Sequence, residues 1–199
     1  MSTIQSGTTT STGTNTGTSR ARVPLEHPGS LLAGVMNAYS RRRFGKVPEP
    51  MLALLHQRKV VTAVARFEMR IAKWSALDTG LKDLATLSVA SQIGCTWCMD
   101  YGYYASHANG MPVEKLEQVS MWRDSTAFTP LERRVLEYAE AMTATPPTVT
   151  DEMVAGLQED LDHAQLVELT ATIAAENLFS RTNSALGLTS QGFKDHCDL

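Results

Sequence analysis

The chain has 199 residues, 43% of them hydrophobic, and a formal net charge of -3 from 18 basic and 21 acidic side chains. That size suits one domain of roughly 170 residues with a real core behind a polar tail, and the evenly mixed charge leaves no footprint for nucleic acid or an anionic membrane. No run approaches the roughly 18 apolar residues of a membrane helix and no apolar signal-peptide core opens the chain, so a cytoplasmic location is expected.

Residues 1–22 read as a disordered tail. Ser2 to Thr18 are almost all Ser, Thr and Gly, with only Ile4 to bury, which cannot offset the entropy of ordering. Residues 23–199 then read as a single all-helical domain. Pro24, Pro28, Pro48 and Pro50 punctuate its entry around a short helix from Ser30 to Arg42, and Arg41, Arg42 and Arg43 read as a solvated run. From Met51 onward, Leu52, Leu55, Val60, Val64, Phe67 and Ile71 recur at helical spacing.

Leu81, Leu84, Leu87, Val89 and Ile93 form the next stripe, which reaches Gly94 and the first two cysteines. Either one helix ends near Gly94 and another begins at Cys95, or a single helix bends there. Asn109-Gly110 stops the helix after the cysteines, and Pro112 fits the first turn of the next. Thr129-Pro130-Leu131-Glu132 predicts a capping box, Pro146 and Pro147 end that helix, and Thr150 caps a short one through Leu161. Asp162 and Gln165 make a second capping box before a long helix carrying Leu166, Leu169, Ile173, Leu178 and Leu186 as far as Gly187. Nothing between Met51 and Leu188 sustains a period of two, so the fold class is all-α, a helical bundle.

Cys95-Thr96-Trp97-Cys98 is the chemically informative segment. Cysteines at i and i+3 share a helix face and can form a disulfide with little backbone movement, and a helix beginning at Cys95 would favour a thiolate. The pattern alone leaves three readings open: reversible redox chemistry, inert core thiols, and metal binding. A structural metal would need a second C-x-x-C, and neither Asp100 nor His107 completes a familiar ligand spacing. Cys197, two residues from the end, reads as an incidental thiol. Trp97 reads as a core or interface residue, Tyr101, Tyr103 and Tyr104 as bridging core and rim, and Glu68 and Glu176 as acids paired with Arg70 or Arg181 or simply exposed.

The stretch LKDLATLSVASQIGCTWCMDYGYYASHANGMPVEKLEQV, from Leu81 to Val119, resembles the core of the alkylhydroperoxidase D-like branch of the carboxymuconolactone decarboxylase family. The shared order is an acidic residue opening a helix, an apolar helix, a C-x-x-C, an alanine-rich helix, a glycine and an acidic helix. Leu169 to Gly192, with Asn183-Ser184-Ala185-Leu186-Gly187, is similar to the closing helix of such proteins. The resemblance implies an alkylhydroperoxidase D-like bundle in which Cys98 attacks a peroxide and Cys95 resolves it as a disulfide. Asp83, twelve residues before Cys95, stands where a relay glutamate is expected, with a surface helix-cap role as the alternative. Two relay histidines of the family are replaced by Thr96 and Gly102, and His107 lies about one and a half turns beyond Gly102 on another side of the helix.

The implied activity is that of a thiol-dependent peroxidase or disulfide reductase, with a hydroperoxide or disulfide as substrate. No tightly bound cofactor is implied; electrons would come from a dithiol partner of lipoyl or thioredoxin type. The resemblance further implies a homo-oligomer. Two other functions fit the same family: a lactone decarboxylase, against which the cysteine pair argues, and a non-enzymatic redox-sensing or binding protein that has lost the relay.

Overall fold

The computed structural model describes residues 21–27 and 30–197. Most of the segment assigned to the tail, residues 1–20, therefore lies outside the described residues. Its last two residues belong to the fold instead: the Arg22 N–H donates to Leu186 O at 2.8 Å and Arg22 Nη1 to Ala185 O at 2.7 Å.

Helix formation follows the caps. Ser30 accepts from the N–H of Ala33 at the start of α1 (Leu31–Phe44). The single stripe expected over 52–71 is divided into α2 (Glu49–Leu54) and α3 (Arg58–Ile71). Long-range hydrogen bonds hold the chain where it breaks. His56 Nε2 donates to Pro24 O at 2.7 Å, His27 Nε2 donates to Leu52 O at 2.6 Å, and the Gln57 side chain caps Lys59 N. Asp78 caps α4 (Thr79–Ile93) by accepting from Gly80 and Leu81.

At the Gly94–Cys95 junction the chain makes two helices rather than one bent helix. Gly94 adopts φ 75°, and the N–H of Cys95 turns back to Ala90 O at 3.0 Å. An L side chain is disfavoured at such a φ, so glycine there ends α4 and lets α5 (Thr96–Ala108) start after only two intervening residues, Gly94 and Cys95. The remaining helices are α6 (Val113–Gln118), α7 (Pro130–Thr143), α8 (Asp151–Gln158) and α9 (His163–Ala185), with 3-10 turns at Val119–Met121 and Lys194–His196. Both expected capping boxes form, Thr129 with Glu132 and Asp162 with Gln165. Among the described residues there is no strand, and no helix is long and apolar enough to cross a membrane.

The bundle is organised around α4, which is covered from two sides. Ala85 and Val89 pack with Val135 of α7 and Leu169 and Ile173 of α9. Leu84 and Leu87 pack with Leu116, Trp122 and Leu136. Each fully buried Leu or Val contributes roughly 1.5–3 kcal/mol relative to exposure, so α4 is the least movable element and fixes the position of the turn at its end.

Gly94→Ala should lower stability by roughly 1–2 kcal/mol and the melting temperature by several degrees, because alanine must adopt the left-handed conformation. Gly34→Ala, in α1 with open space around it, should be neutral or stabilising. Thermal unfolding of the two variants checks this, and an unchanged Gly94→Ala would refute the assigned role of the turn.

Candidate functional site

Cys95 and Cys98 are paired as a disulfide with their Cα atoms 5.3 Å apart. Cys95 is also the N-cap of α5: its Sγ accepts the backbone N–H of Cys98 at 3.2 Å. The other sulfur, on Cys98, accepts from Asn183 Nδ2 of α9 at 3.3 Å. Both sulfurs thus sit at the positive end of a helix dipole with an N–H donor, surroundings that favour thiolate when the bond is reduced. Cys95 is 1% exposed and Cys98 8%. Cys98 is therefore the more exposed residue of the pair.

Segments from near both ends of the described residues cover the pair. Ala21, Val23 and Leu25 from one end and Leu186, Leu188 and Phe193 from the other pack with the cysteines and Trp97. Phe193 stands edge-on to Tyr101 at 5.4 Å and to Trp97 at 6.1 Å, and Trp97 stacks on Tyr101 at 5.2 Å. This confirms Trp97 as a core residue. Its indole N–H donates to Gln191 Oε1 at 2.7 Å.

Asp100 ties the C-terminal strap down. Its carboxylate accepts from the N–H of Gln191 at 2.8 Å and of Lys194 at 2.9 Å, and it is 4% exposed. Burial pushes this carboxyl up, but hydrogen bonds from Lys194, Phe193, Ser190 and Gln191 prevail and hold it below the ordinary carboxylate range. Lys46 adds a clamp from outside, donating to Gln191 O at 2.8 Å with its ammonium 4.8 Å from the Phe193 ring centre.

Residues 58–141 match the carboxymuconolactone decarboxylase family. YnjA of Escherichia coli (strain K12) is 38% identical over 120 residues, which is 60% of this chain and 66% of YnjA. The fold is shared with a peroxidase-related protein from Silicibacter sp. TM1040 (TM-score 0.79, 15% identity, 92% of this chain and 98% of that one). It is shared also with the debrominase Bmp8 (TM-score 0.74, 18% identity, 87% and 94%). The family match spans the segment that carries Cys95 and Cys98.

The positions that this family resemblance marked for proton transfer do not converge on the pair. Asp83 lies ten residues before the end of α4, about 15 Å along the axis, and its carboxylate accepts from Asn109 Nδ2 at 2.9 Å at the far end of α5. Burial pushes Asp83 upward, opposed by the Asn109 bond and by Lys82, while Asp78 adds to the rise. It lines a surface cleft with Asp78, Lys115 and Glu132 rather than the cysteine site. Thr96 is exposed. A Cβ on Gly102 would lie 3.0 Å from Leu87 Cδ2, so an imidazole there would have to displace a side chain that is 2% exposed. Cys197 lies outside the disulfide, half-buried just after the closing 3-10 turn.

Glu176 was expected to pair with Arg181 or to be exposed, and it does neither. Arg181 donates to Asn177 Oδ1 and to Thr143 O, while Glu176 Oε1 accepts from Ser180 Oγ at 2.5 Å. Burial pushes Glu176 up to about 7; the Ser180 bond opposes this and the charge of Glu68 on α3 adds to it. Asn183 escaped notice as a site residue because its contact with Cys98 spans 85 positions of sequence. The only local signal was a string of polar residues inside an apolar helix.

Two predictions follow from the strap and the acid. Asp100→Asn removes one of two acceptor oxygens and the charge, so it should cost roughly 1–3 kcal/mol. Iodoacetamide should also label Cys95 and Cys98 of the reduced variant faster than those of the wild type; equal labelling would show that the strap does not limit access. Glu176, raised from 4.5 to about 7, contributes stability that is fully present below pH 4.5 and is lost as pH rises through about 7. Relative to Glu176→Gln, the wild type should lose about 3 kcal/mol across that window. Urea unfolding of both proteins at its two ends tests this, and parallel behaviour would contradict it.

Proposed function

We propose that this protein is a thiol–disulfide oxidoreductase that reduces hydroperoxides or disulfides through Cys98 and Cys95, using a lipoyl- or thioredoxin-like dithiol as electron donor. The observation that carries this reading is the disulfide at the N-terminus of α5, with each sulfur in contact with an N–H donor. Cys98 is the attacking sulfur because it is the more accessible of the two. Its thiolate takes the distal oxygen of a hydroperoxide, the O–O bond breaks, and the alkoxide leaves as an alcohol after gaining a proton. Cys95 then attacks the sulfur of the Cys98 sulfenic acid, forming the disulfide and expelling water. The donor dithiol reduces that disulfide and becomes a disulfide itself.

The family contains more than one chemistry, and similarity of fold to a debrominase or a peroxidase-related protein does not choose between them. The cysteine pair favours redox chemistry over lactone decarboxylation. A cytoplasmic setting suits a disulfide that must cycle, since the reducing pool keeps idle thiols reduced. Exposed Leu31, Val35 and Tyr39 on one face of α1 support the homo-oligomer implied by the family, with a second copy covering that face.

Hydroperoxide-dependent oxidation of a dithiol should disappear in Cys98→Ser, which lacks the attacking sulfur. Cys95→Ser should consume one equivalent of peroxide and stop at a sulfenic acid that a dimedone probe captures. Peptide mapping of the oxidised wild type should join Cys95 to Cys98 and leave Cys197 outside the bond. Full turnover by Cys98→Ser would sink the proposal.

A further inference from the structure

A titratable group near the sulfurs speeds proton transfer to and from a thiol pair, and neither family histidine is present to provide one. We infer that Glu176 of α9 is the proton store of the cysteine pair, exchanging its proton with the Cys98 side of the disulfide by way of the Ser180 hydroxyl. This inference rests on the thiol-redox reading of the site.

The geometry is that of a polar column on an apolar helix. Thr172, Glu176, Ser180 and Asn183 fall within about 80° of one face of α9, and Glu176 and Asn183 are about 10 Å apart along its axis. Asn183 Nδ2 touches Cys98 Sγ at 3.3 Å, Ser180 lies between, and Ser180 Oγ donates to Glu176 Oε1 at 2.5 Å. Ser180 is 0% exposed and Asn183 5%. Packing does not need this polarity: Thr172 Oγ1 and Ser184 Oγ of the same helix are buried without a hydrogen-bond partner among the described residues. Such groups cost free energy, and apolar side chains at these positions would bury more favourably.

Nor is Glu176 part of a structural ion pair. Among the described residues no cation bridges to it, and the charged group that acts on it from the neighbouring α3 is another acid, Glu68. A carboxyl held between an apolar interior and a like charge, and so raised to about 7, keeps a sizeable protonated fraction near neutral pH, as a general acid must.

The cycle balances. Cys98 thiolate, hydroperoxide and protonated Glu176 give the Cys98 sulfenic acid, an alcohol and Glu176 carboxylate. Resolution by the Cys95 thiol forms the disulfide and water. Reduction by the donor dithiol returns two protein thiols and a donor disulfide. The Cys98 thiol then passes its proton to Glu176, restoring the thiolate and the acid.

The test uses full-length protein with tert-butyl hydroperoxide and saturating dithiothreitol, from about pH 5 to pH 9. Wild-type kcat/KM should show an inflection near pH 7. Glu176→Gln should remove that inflection and lower kcat by about 10²-fold or more with KM little changed. Ser180→Ala, which keeps the carboxyl but cuts the bridge, should have the same effect in smaller measure. Glu176→Asp should retain a displaced inflection. The pH dependence of iodoacetamide labelling at Cys98 gives the same comparison without turnover. If Glu176→Gln and Ser180→Ala both keep the wild-type pH profile while Cys98→Ser is inactive, the relay is overturned and the thiol reading stands. If Cys98→Ser is active, the thiol reading itself falls.

Discussion

A helix N-terminus presents backbone N–H groups that need acceptors, and in α5 the acceptor is a cysteine sulfur: Cys95 Sγ receives the N–H of Cys98. The same atom therefore ends a helix and forms the disulfide. Because the capped turn already holds the two Cα atoms 5.3 Å apart, making or breaking the S–S bond demands little of the backbone. Gly94 supplies the left-handed residue that lets α4 stop just before that cap. The buried α4 then locates the turn within the bundle, so the placement of the two sulfurs derives from the core of the fold.

The cover over the site is held differently from the core below it. Phe193 contributes apolar area, but the strap from Leu186 to Phe193 is tied mainly by polar contacts, with Asp100 accepting two N–H groups and Gln191 engaging Trp97, Glu49 and Val47. Each such bond is worth roughly 1 kcal/mol net, far less than the buried surface around α4. Local release of the strap is accordingly much cheaper than unfolding, and it would uncover the cysteine pair that the strap packs against.

What was legible in the chain was whatever is written in short-range chemistry. The capping boxes at Thr129/Glu132 and Asp162/Gln165 and the C-x-x-C each depend on residues within four positions of one another, whereas at Gly94 the sequence left a helix stop and a bend both open. Break points set by distant partners were not legible. One apolar stripe runs through Leu55 to Gln57, and only contacts of His56 with Pro24 and of His27 with Leu52 reveal that the helix is interrupted there. The strap carries no periodic signal, because its aromatic anchor Phe193 has no partners at regular spacing. Asp100 lies two residues after Cys98 and so on a different face of α5, which hid its role as the strap's acceptor. For Glu176 the sequence suggested an arginine neighbour one turn away or next in line, whereas tertiary contacts with Asn177 and Thr143 draw Arg181 away.

These placements explain why the acid belongs on α9. Gly102 lies one turn after Cys98 on the same face, and its missing side chain lets α5 approach α4 until a Cβ would meet Leu87 at 3.0 Å. That close approach leaves no room at position 102 for an imidazole, and Asp83 lies too far along α4 to substitute. Position 96 points to solvent, where a titrating group would act as a surface residue. Asn183 of α9 donates to the Cys98 sulfur, and the same helix carries an acid two turns before that contact. Tight packing of α4 against α5 and a half-buried carboxyl on α9 are thus two sides of one arrangement: the first interface has no room for a proton carrier, and the second holds an acid on the face that reaches Cys98.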